Sequence, residues 1–521
     1  MKWIDAVAIV VLIGVVVAFQ YGSGAYNKDL SADEDEPAHV VSSLMVRDYI
    51  AQGFPGNPVH FAESYYVHYP KVAIGHWPPL FYTAEAVWML LFGRTRAAIL
   101  ALTASAGVLL AVSVFAWIRI ECGTLCALVS TVLLMITPIY RSAVFTVEPQ
   151  ILLAVLAFWA AILYGCFLQN RRRRYAWLSG FVAVCALLTH GRGAMLLFVP
   201  PVAGLLTGDT VTKKKWLALF LLVCAVTLTL PRLLGQGDVS SPITVARNAW
   251  MFFYRLGASL SWPVVVIAIF GAVKVVRLKK THVGWLAMLA LICSGWIFHA
   301  LVNVPLADRY LLPIAPAVAT LFAAGLQLFF ELFRKSSAKL RLVQLACAAL
   351  AFPFAVHGAF IKTVKPDTGC HRLIGELDGW NSPSEIYLVA GDPIHEGGLI
   401  AEAALAERKP QTVILRASKV LAASSWAGRG YHLRFTSPDA LETYLDDSHV
   451  GLIFVQRKST PEHMRLLAEA IRRHPQLWTQ VLNSQSPDGF QVFRRTGPMP
   501  SGKAIIRIDM RDKLGRFLED R

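Results

Sequence analysis

What this sequence has least of is charge. Only 16% of its 521 residues are Asp, Glu, Lys or Arg, where an ordinary soluble domain carries about 25%. That excludes a water-soluble chain of this length. Its 55% hydrophobic content gathers instead in runs near the ~20 residues that cross a bilayer. The charge that exists is uneven in sign. A net +16 sits in short basic runs between apolar segments, the pattern of cytoplasmic anchoring. No arginine-rich or aromatic-interleaved face stands out, so nucleic acid is not an expected partner. Cysteine is equally sparse where a secreted fold would need it. Of eight cysteines only Cys370 lies in the C-terminal third, which excludes a disulfide framework there. Cys122 and Cys126 sit one turn apart without partner histidines and read as core residues rather than metal ligands. Ionisable side chains within the apolar runs are few, so the mid-bilayer carboxylates and histidines of a proton-coupled transporter are missing. Internal repeats and low-complexity tracts are absent.

What is there is a multi-spanning helical membrane domain. Hydropathy places eleven spans, at about 3–20, 97–118, 124–140, 150–168, 176–189, 194–207, 216–232, 258–276, 282–301, 310–330 and 342–360. Lys2 before the first apolar core resembles a signal peptide, but that core is long and many spans follow, so it reads as an uncleaved helix. With the N-terminus cytoplasmic, the inner connections are 1–3, 119–123, 169–175, 208–215, 274–281 and 331–341; these short turns hold 17 Lys and Arg. The outer connections, 20–96, 141–148, 190–193, 231–255 and 302–310, are far longer in total and hold only 11. That asymmetry sets the orientation. It also puts both Arg171–Arg174 and Lys213–Lys215 inside, so the chain must turn back at Thr189-His190-Gly191-Arg192-Gly193. Counting 79–93 as a span would invert every later loop. It reads as an interfacial helix on the outer leaflet, anchored by Phe81, Tyr82 and Trp88, and 36–52 reads as a second surface helix.

Beyond about residue 360 the balance changes. Residues 361–521 hold 22 Lys and Arg against 19 Asp and Glu, a soluble composition. Apolar runs at Glu385–Ala390, Thr412–Arg416, Val450–Gln456 and Phe490–Arg494 alternate with helical stretches at Gly398–Glu407, Pro438–Asp446 and Pro461–His474. The expectation is a small, mostly parallel α/β domain on the outer side. The expected division is a membrane domain over 1–360 and an extracytoplasmic domain over 361–521. The loop Gly391-Asp392 through Gly397-Gly398 lacks the GxGxxG of a nucleotide site. Arg416-Ala417-Ser418-Lys419 and Ser424-Ser425-Trp426 are possible acceptor contacts with no chemistry of their own.

The acids outside cytoplasmic turns collect at one face: Asp33 to Glu36, Glu148 and Asp308. Lys71, His76, Arg192, Arg309, Tyr310, Tyr65 and Tyr66 are expected at the same level. Four carboxylates beside a span are costly unless they face water or work on a substrate. A helix start would also tolerate them, Glu148-Pro149 also suits a helix start, and Arg309 and Lys71 could be headgroup anchors. Cations at that level suit an anionic lipid headgroup, and carboxylates suit a sugar hydroxyl.

Asp35-Glu36-Pro37-Ala38-His39 after a first span, then Tyr69-Pro70-Lys71 and His76-Trp77-Pro78-Pro79-Leu80-Phe81-Tyr82, resemble the first outer loop of GT-C glycosyltransferases. The aminoarabinose-transferase-like and protein O-mannosyltransferase-like bacterial group is the nearest in pattern. Thr146-Val147-Glu148-Pro149 resembles its second acidic site, Thr189-His190-Gly191-Arg192 its Thr-Lys-Gly-Pro turn, and Arg309-Tyr310-Leu311-Leu312-Pro313 its Arg-Tyr-x-x-Pro motif. The likeness covers roughly residues 1–330. It implies transfer of a sugar from a polyprenyl-phosphate donor to a lipid, glycan or protein acceptor at the outer face of a bacterial inner membrane, with inversion. Asp35 would be the general base, with Glu36 and Glu148 positioning it or the acceptor. His39, Lys71, His76, Arg192, Arg309 and Tyr310 would bind substrate. Two positions depart from the pattern, since Trp77 and His190 stand where that group has lysine. No cofactor is expected, and a divalent metal on the carboxylates is optional where Arg and Lys handle phosphate. The alternatives are a non-catalytic lipid-sugar handler, such as a flippase or polymerase partner, which would need a continuous polar path through the spans, and a membrane anchor for the C-terminal domain.

Overall fold

The computed structural model describes residues 3–207, 210–233, 241–278, 283–302, 306–334, 363–377, 386–423, 430–458, 461–483, 489–498, 501–510 and 515–519. The expected span at 342–360 and the motif Ser424-Ser425-Trp426 lie outside the described residues. Helices dominate the first two thirds: α1 (Trp3–Ser23), α2 (Glu36–Ala51), α3 (Pro58–His68), α4 (Leu80–Phe92), α5 (Arg96–Met135), α6 (Pro138–Phe145), α7 (Gln150–Asn170), α8 (Arg173–Thr189), α9 (Val199–Thr207), α10 (Thr210–Leu233), α11 (Pro242–Leu260), α12 (Trp262–Arg277), α13 (Val283–Leu301) and α14 (Ala315–Arg334). The chain separates into two compact units. One comprises Met1–Ser23, Trp77–Phe81 and Ala101–Thr363; the other comprises Gly24–His76, Tyr82–Leu100 and Val364–Arg521.

The first unit is the multi-pass membrane part. Against the eleven expected spans, four described helices are long and apolar enough to cross a bilayer: Asp5–Ser23, Arg96–Met135, Gln150–Asn170 and Gly284–Leu301. Pro242–Leu260 and Trp262–Arg277, bent by 112° at Ser261, make a fifth if counted together. Gly191–Thr207 is apolar but short for a ~30 Å hydrocarbon core, whereas α14, with its apolar stretch Ala315–Leu328, runs 20 residues. The expected spans 97–118 and 124–140 fall on the two helical halves of α5, which meet at a kink at Gly123, inside the expected 119–123 connection, where a φ of 78° favours glycine. The expected turn after Thr189 is present: α8 stops there and a 3₁₀ segment, Gly191–Phe198, leads into α9. Packing depends on small residues. A Cβ at Gly271 of α12 or Gly325 of α14 would overlap the facing backbone carbonyl, so these two helices meet backbone to backbone. Polar ties reinforce the bundle: Gln20 donates to the Val144 carbonyl at 2.6 Å, and Arg119 pairs with Asp5 at 2.6 Å. All seven described cysteines are free.

The second unit is built on a five-stranded sheet. Its strands are β1 (Ile386–Ala390), β2 (Val413–Arg416), β5 (Val450–Gln456), β6 (Trp478–Asn483) and β7 (Phe490–Arg495), with short pairs β3 (Ala422–Ala423) with β4 (His432–Leu433) and β8 (Arg507–Asp509) with β9 (Phe517–Glu519). The order is β2-β1-β5-β7-β6. β1 pairs parallel with β2 and β5, whereas β5–β7 and β7–β6 are antiparallel. The sheet is therefore mixed, not mostly parallel. β6 carries no continuous apolar run, so the sequence pattern does not announce it. β1 and β5 are buried along their whole length, as strands covered on both faces must be. Helix Pro393–Ala406 follows β1 and packs on α2. Consequently α2 is not a surface helix. Pro37 to Leu44 are all buried in it, together with Glu36 and Asp48.

Candidate active site

The nine residues expected to act fall in both units. Asp35, Glu36, His39, Lys71 and His76 lie in the second; Glu148, Arg192, Arg309 and Tyr310 lie in the first.

In the second unit the acidic run is a helix start whose four members do different things. Asp33 Oδ1 accepts from the backbone N–H groups of Asp35 and Glu36, each at 2.9 Å, closing the turn that opens α2. Glu34 is exposed. Glu36 is fully buried; Oε1 takes the Lys365 ammonium at 2.5 Å and Oε2 takes the Ala32 N–H at 2.6 Å. Asp35, half-buried, caps no backbone group with its side chain. Its carboxyl is pushed above the ordinary aspartate range by burial and by Glu34, with Lys71 opposing. One turn into α2, His39 Nδ1 meets the Tyr82 hydroxyl at 2.9 Å. The Tyr82 phenol is itself pushed up by burial and by Asp35. Asp35, Lys71 and Tyr82 thus form one electrostatic group. His76 is exposed, in the turn after Gly75.

Lys71 is buried, and its ammonium is pulled down to about 7. Burial is the largest cause and Arg416 adds to it, while Glu396, Asp35 and Glu34 oppose. Tyr69, two residues earlier, is fully buried and donates to Glu407 Oε2 at 2.5 Å, and Tyr65 donates to Asp48 Oδ2 at 3.1 Å.

Several residues that frame this group carry no signal in the sequence. Asp29 accepts from Thr368 N, Thr368 Oγ1 and His371 N at 2.5, 2.6 and 2.7 Å. Glu402 binds Leu30 N at 2.9 Å and Arg96 at 2.5 Å. Lys28 donates to the Lys365 carbonyl at 2.8 Å. Most of these pairs join the loop after α1 to the C-terminal region, and no local pattern marks either partner.

In the first unit the site is a cation cluster around one phenol ring. The 3₁₀ turn Asp308–Leu311 presents Arg309 and Tyr310. Arg309 donates to Glu148 Oε1 at 2.9 Å and approaches the Tyr310 hydroxyl at 3.3 Å. The Arg192 guanidinium lies over the Tyr310 ring, 3.1 Å from its centroid. His190 holds the turn that delivers Arg192, its Nδ1 accepting from Arg192 N at 3.1 Å. Glu148 sits just before α7, with Pro149 at the helix start. Asp308 stands apart on an exposed pair with Arg255 at 2.7 Å. Two guanidiniums and one carboxylate around a phenol present net positive charge to an anion. Among the described residues, no three His, Cys, Asp or Glu side chains gather as a metal-holding group.

Comparison with known proteins agrees with the resemblance read from the sequence. Residues 76–234 match the family described as dolichyl-phosphate-mannose-protein mannosyltransferase. The fold is similar to that of ArnT from Cupriavidus metallidurans in two crystal structures. With the one bound to undecaprenyl phosphate it shares 13% identity at a TM-score of 0.56, over 96% of this chain and 99% of that one. With the apo form the values are 14% and 0.55, over 94% and 98%. No curated protein matches the chain. The likeness in fold thus continues well past the last legible motif, at Arg309–Pro313, and takes in the C-terminal sheet.

Proposed function

We propose that the chain is an inverting glycosyltransferase that moves a sugar from a polyprenyl-phosphate carrier to an acceptor at the outer face of a bacterial inner membrane. The observation that carries this reading is Asp35: a half-buried carboxylate, raised in pKa, coupled to Lys71 at the mouth of a helix. That environment suits a base that must take a proton from a hydroxyl near neutral pH. A fold shared with a protein crystallised on undecaprenyl phosphate supports the carrier class.

The chemistry follows from the groups present. An acceptor hydroxyl is a weak nucleophile, and Asp35 takes its proton as its oxygen bonds to the anomeric carbon. The bond from that carbon to the phosphate oxygen breaks on the opposite face, inverting the configuration. Charge grows on the departing lipid phosphate. Fixed cations stabilise that charge more than they stabilise the bound donor, and this difference is what accelerates the step. Arg309 and Arg192 in the first unit, and Lys71 in the second, are each candidates for that role. Tyr310 holds the guanidiniums in place, and His39 and His76 contribute to substrate binding. Glu148 orients Arg309, and Glu36 fixes the backbone that carries Asp35. In this reading residues 1–360 are the membrane domain with a cytoplasmic N-terminus, and 361–521 are extracytoplasmic.

The test is transfer in vitro from a panel of polyprenyl-phosphate sugars to lipid, glycan and peptide acceptors. Asp35→Asn should abolish turnover while donor binding persists. Full activity in that variant removes Asp35 from the reaction, and no transfer from any donor in the wild type removes the function.

A further inference from the structure

Within the second unit, Lys71 is where the C-terminal sheet meets the acidic loop. The residue is 8% exposed, and its seat is built by residues far along the chain. Gly397 offers bare backbone to it: a Cβ there would lie 2.8 Å from Lys71 Cε and 3.1 Å from the Pro37 ring. The neighbouring Glu396 is fully buried. Its carboxylate accepts from Arg416 Nε at 3.0 Å, from Ser418 N at 3.0 Å and from Ser418 Oγ at 2.5 Å. Arg416, at the end of β2, also reaches the carbonyl of Pro70 at 3.4 Å. One guanidinium therefore links the sheet to the peptide bond that precedes Lys71.

We propose that Arg416 and Glu396 are positioning residues for Lys71, placing its ammonium against the acidic loop and governing its charge there. The inference rests on the glycosyltransferase reading and extends it to the C-terminal sheet. The charged groups that act electrostatically on Lys71 are Arg416, Glu396, Asp35 and Glu34. Arg416 acts to deprotonate it and Glu396 to keep it charged, so the two make opposite demands on one ammonium.

The experiment uses the full-length chain in lipid nanodiscs. Competitive labelling of Lys71 with acetic anhydride across pH, read by mass spectrometry, follows its titration without requiring turnover. Arg416→Gln should move that titration up by about one pH unit and Glu396→Gln down by a similar amount. Arg416→Lys should leave it near the wild-type position. The double variant, with both charges gone, should return toward wild type and serves where either single variant fails to fold. The alkaline limb of the transferase profile should move with the labelling curve. Shifts of the same sign, or none, in folded protein overturn the proposal. Wild-type protein that labels as expected but transfers no sugar overturns the functional reading while leaving the coupling established.

Discussion

Lys365 Nζ lies 2.5 Å from Glu36 Oε1, and neither side chain is exposed to solvent. The pair joins the acidic loop after α1 to the first residues of the C-terminal region, 329 positions later. A buried ion pair is not strong evidence of net stability, but breaking one half leaves an uncompensated charge, a loss of about 3–5 kcal/mol. Lys365→Met should therefore lower the unfolding midpoint sharply and reduce turnover by displacing Asp35. Glu36→Gln combined with Lys365→Met should recover much of the stability. Thermal unfolding in detergent checks both, and a double variant no better than the single one would mean the pair is not the anchor.

Gly397 makes a second point of dependence. An alanine methyl would have to push Lys71 Cε, at 2.8 Å, or the rigid Pro37 ring, at 3.1 Å. The lysine end is the softer partner, so it is the ammonium that moves. Gly397→Ala should cut kcat by roughly tenfold or more, as small misplacements of catalytic groups do. Gly375, in the helix Cys370–Leu377, has nothing within 4 Å of such a methyl. Gly375→Ala should leave activity unchanged and raise stability by up to about 1 kcal/mol. Steady-state kinetics on the two variants side by side distinguishes a seat for Lys71 from a general intolerance of alanine.

Part of this arrangement is legible from residue order alone, and the division has a physical reason. The apolar runs of α1, α5, α7 and α13, the turn at Thr189–Gly193 and the connection at 119–123, where α5 kinks at Gly123, are local features. α4 is a 13-residue helix, short for a span, at the segment 79–93 that reads as an interfacial helix. Residues 36–52 do form a helix, but period alone cannot reveal its burial under Pro393–Ala406, because the covering helix comes from the C-terminal third of the chain. The partners of Asp29, Glu36 and Glu402 are hidden for the same reason. β6 has its apolar residues interrupted by Thr479 and Gln480 and ends on Asn483 at the sheet edge, so it lacks the continuous apolar signal that identifies β1 and β5. Arg416-Ala417-Ser418 shows no chemistry in the sequence, since Glu396, which gives it meaning, is brought close only by the β1–β2 crossover.

The Arg192–Tyr310 contact leads to a third prediction. A half-buried guanidinium 3.1 Å from a ring centroid gains about 1–2 kcal/mol from the ring face. Tyr310→Leu removes that face and should weaken polyprenyl-phosphate binding by roughly tenfold. Tyr310→Phe keeps the face and loses only a long 3.3 Å contact from Arg309, so it should bind within about threefold of wild type. Titration of the carrier phosphate against both variants decides. Equal losses would assign the effect to the hydroxyl rather than the ring.

The last prediction concerns pH, and its sign follows from two groups shifted toward each other. Asp35 must be ionised to accept a proton, and its pKa is raised, so activity should fall on acidification at a higher pH than an ordinary aspartate would give. Lys71 must be charged to meet the phosphate, and burial brings it down to about 7, so donor affinity should fall as pH rises through that value. The product is a narrow bell, with an acid limb belonging to catalysis and an alkaline limb belonging to binding. Lys71→Arg keeps the cation charged at every working pH. It should flatten the alkaline limb of kcat/KM while leaving the acid limb where it was, even if the longer side chain lowers the maximum. An alkaline limb that survives in Lys71→Arg would assign that titration to another group and remove Lys71 from the phosphate site.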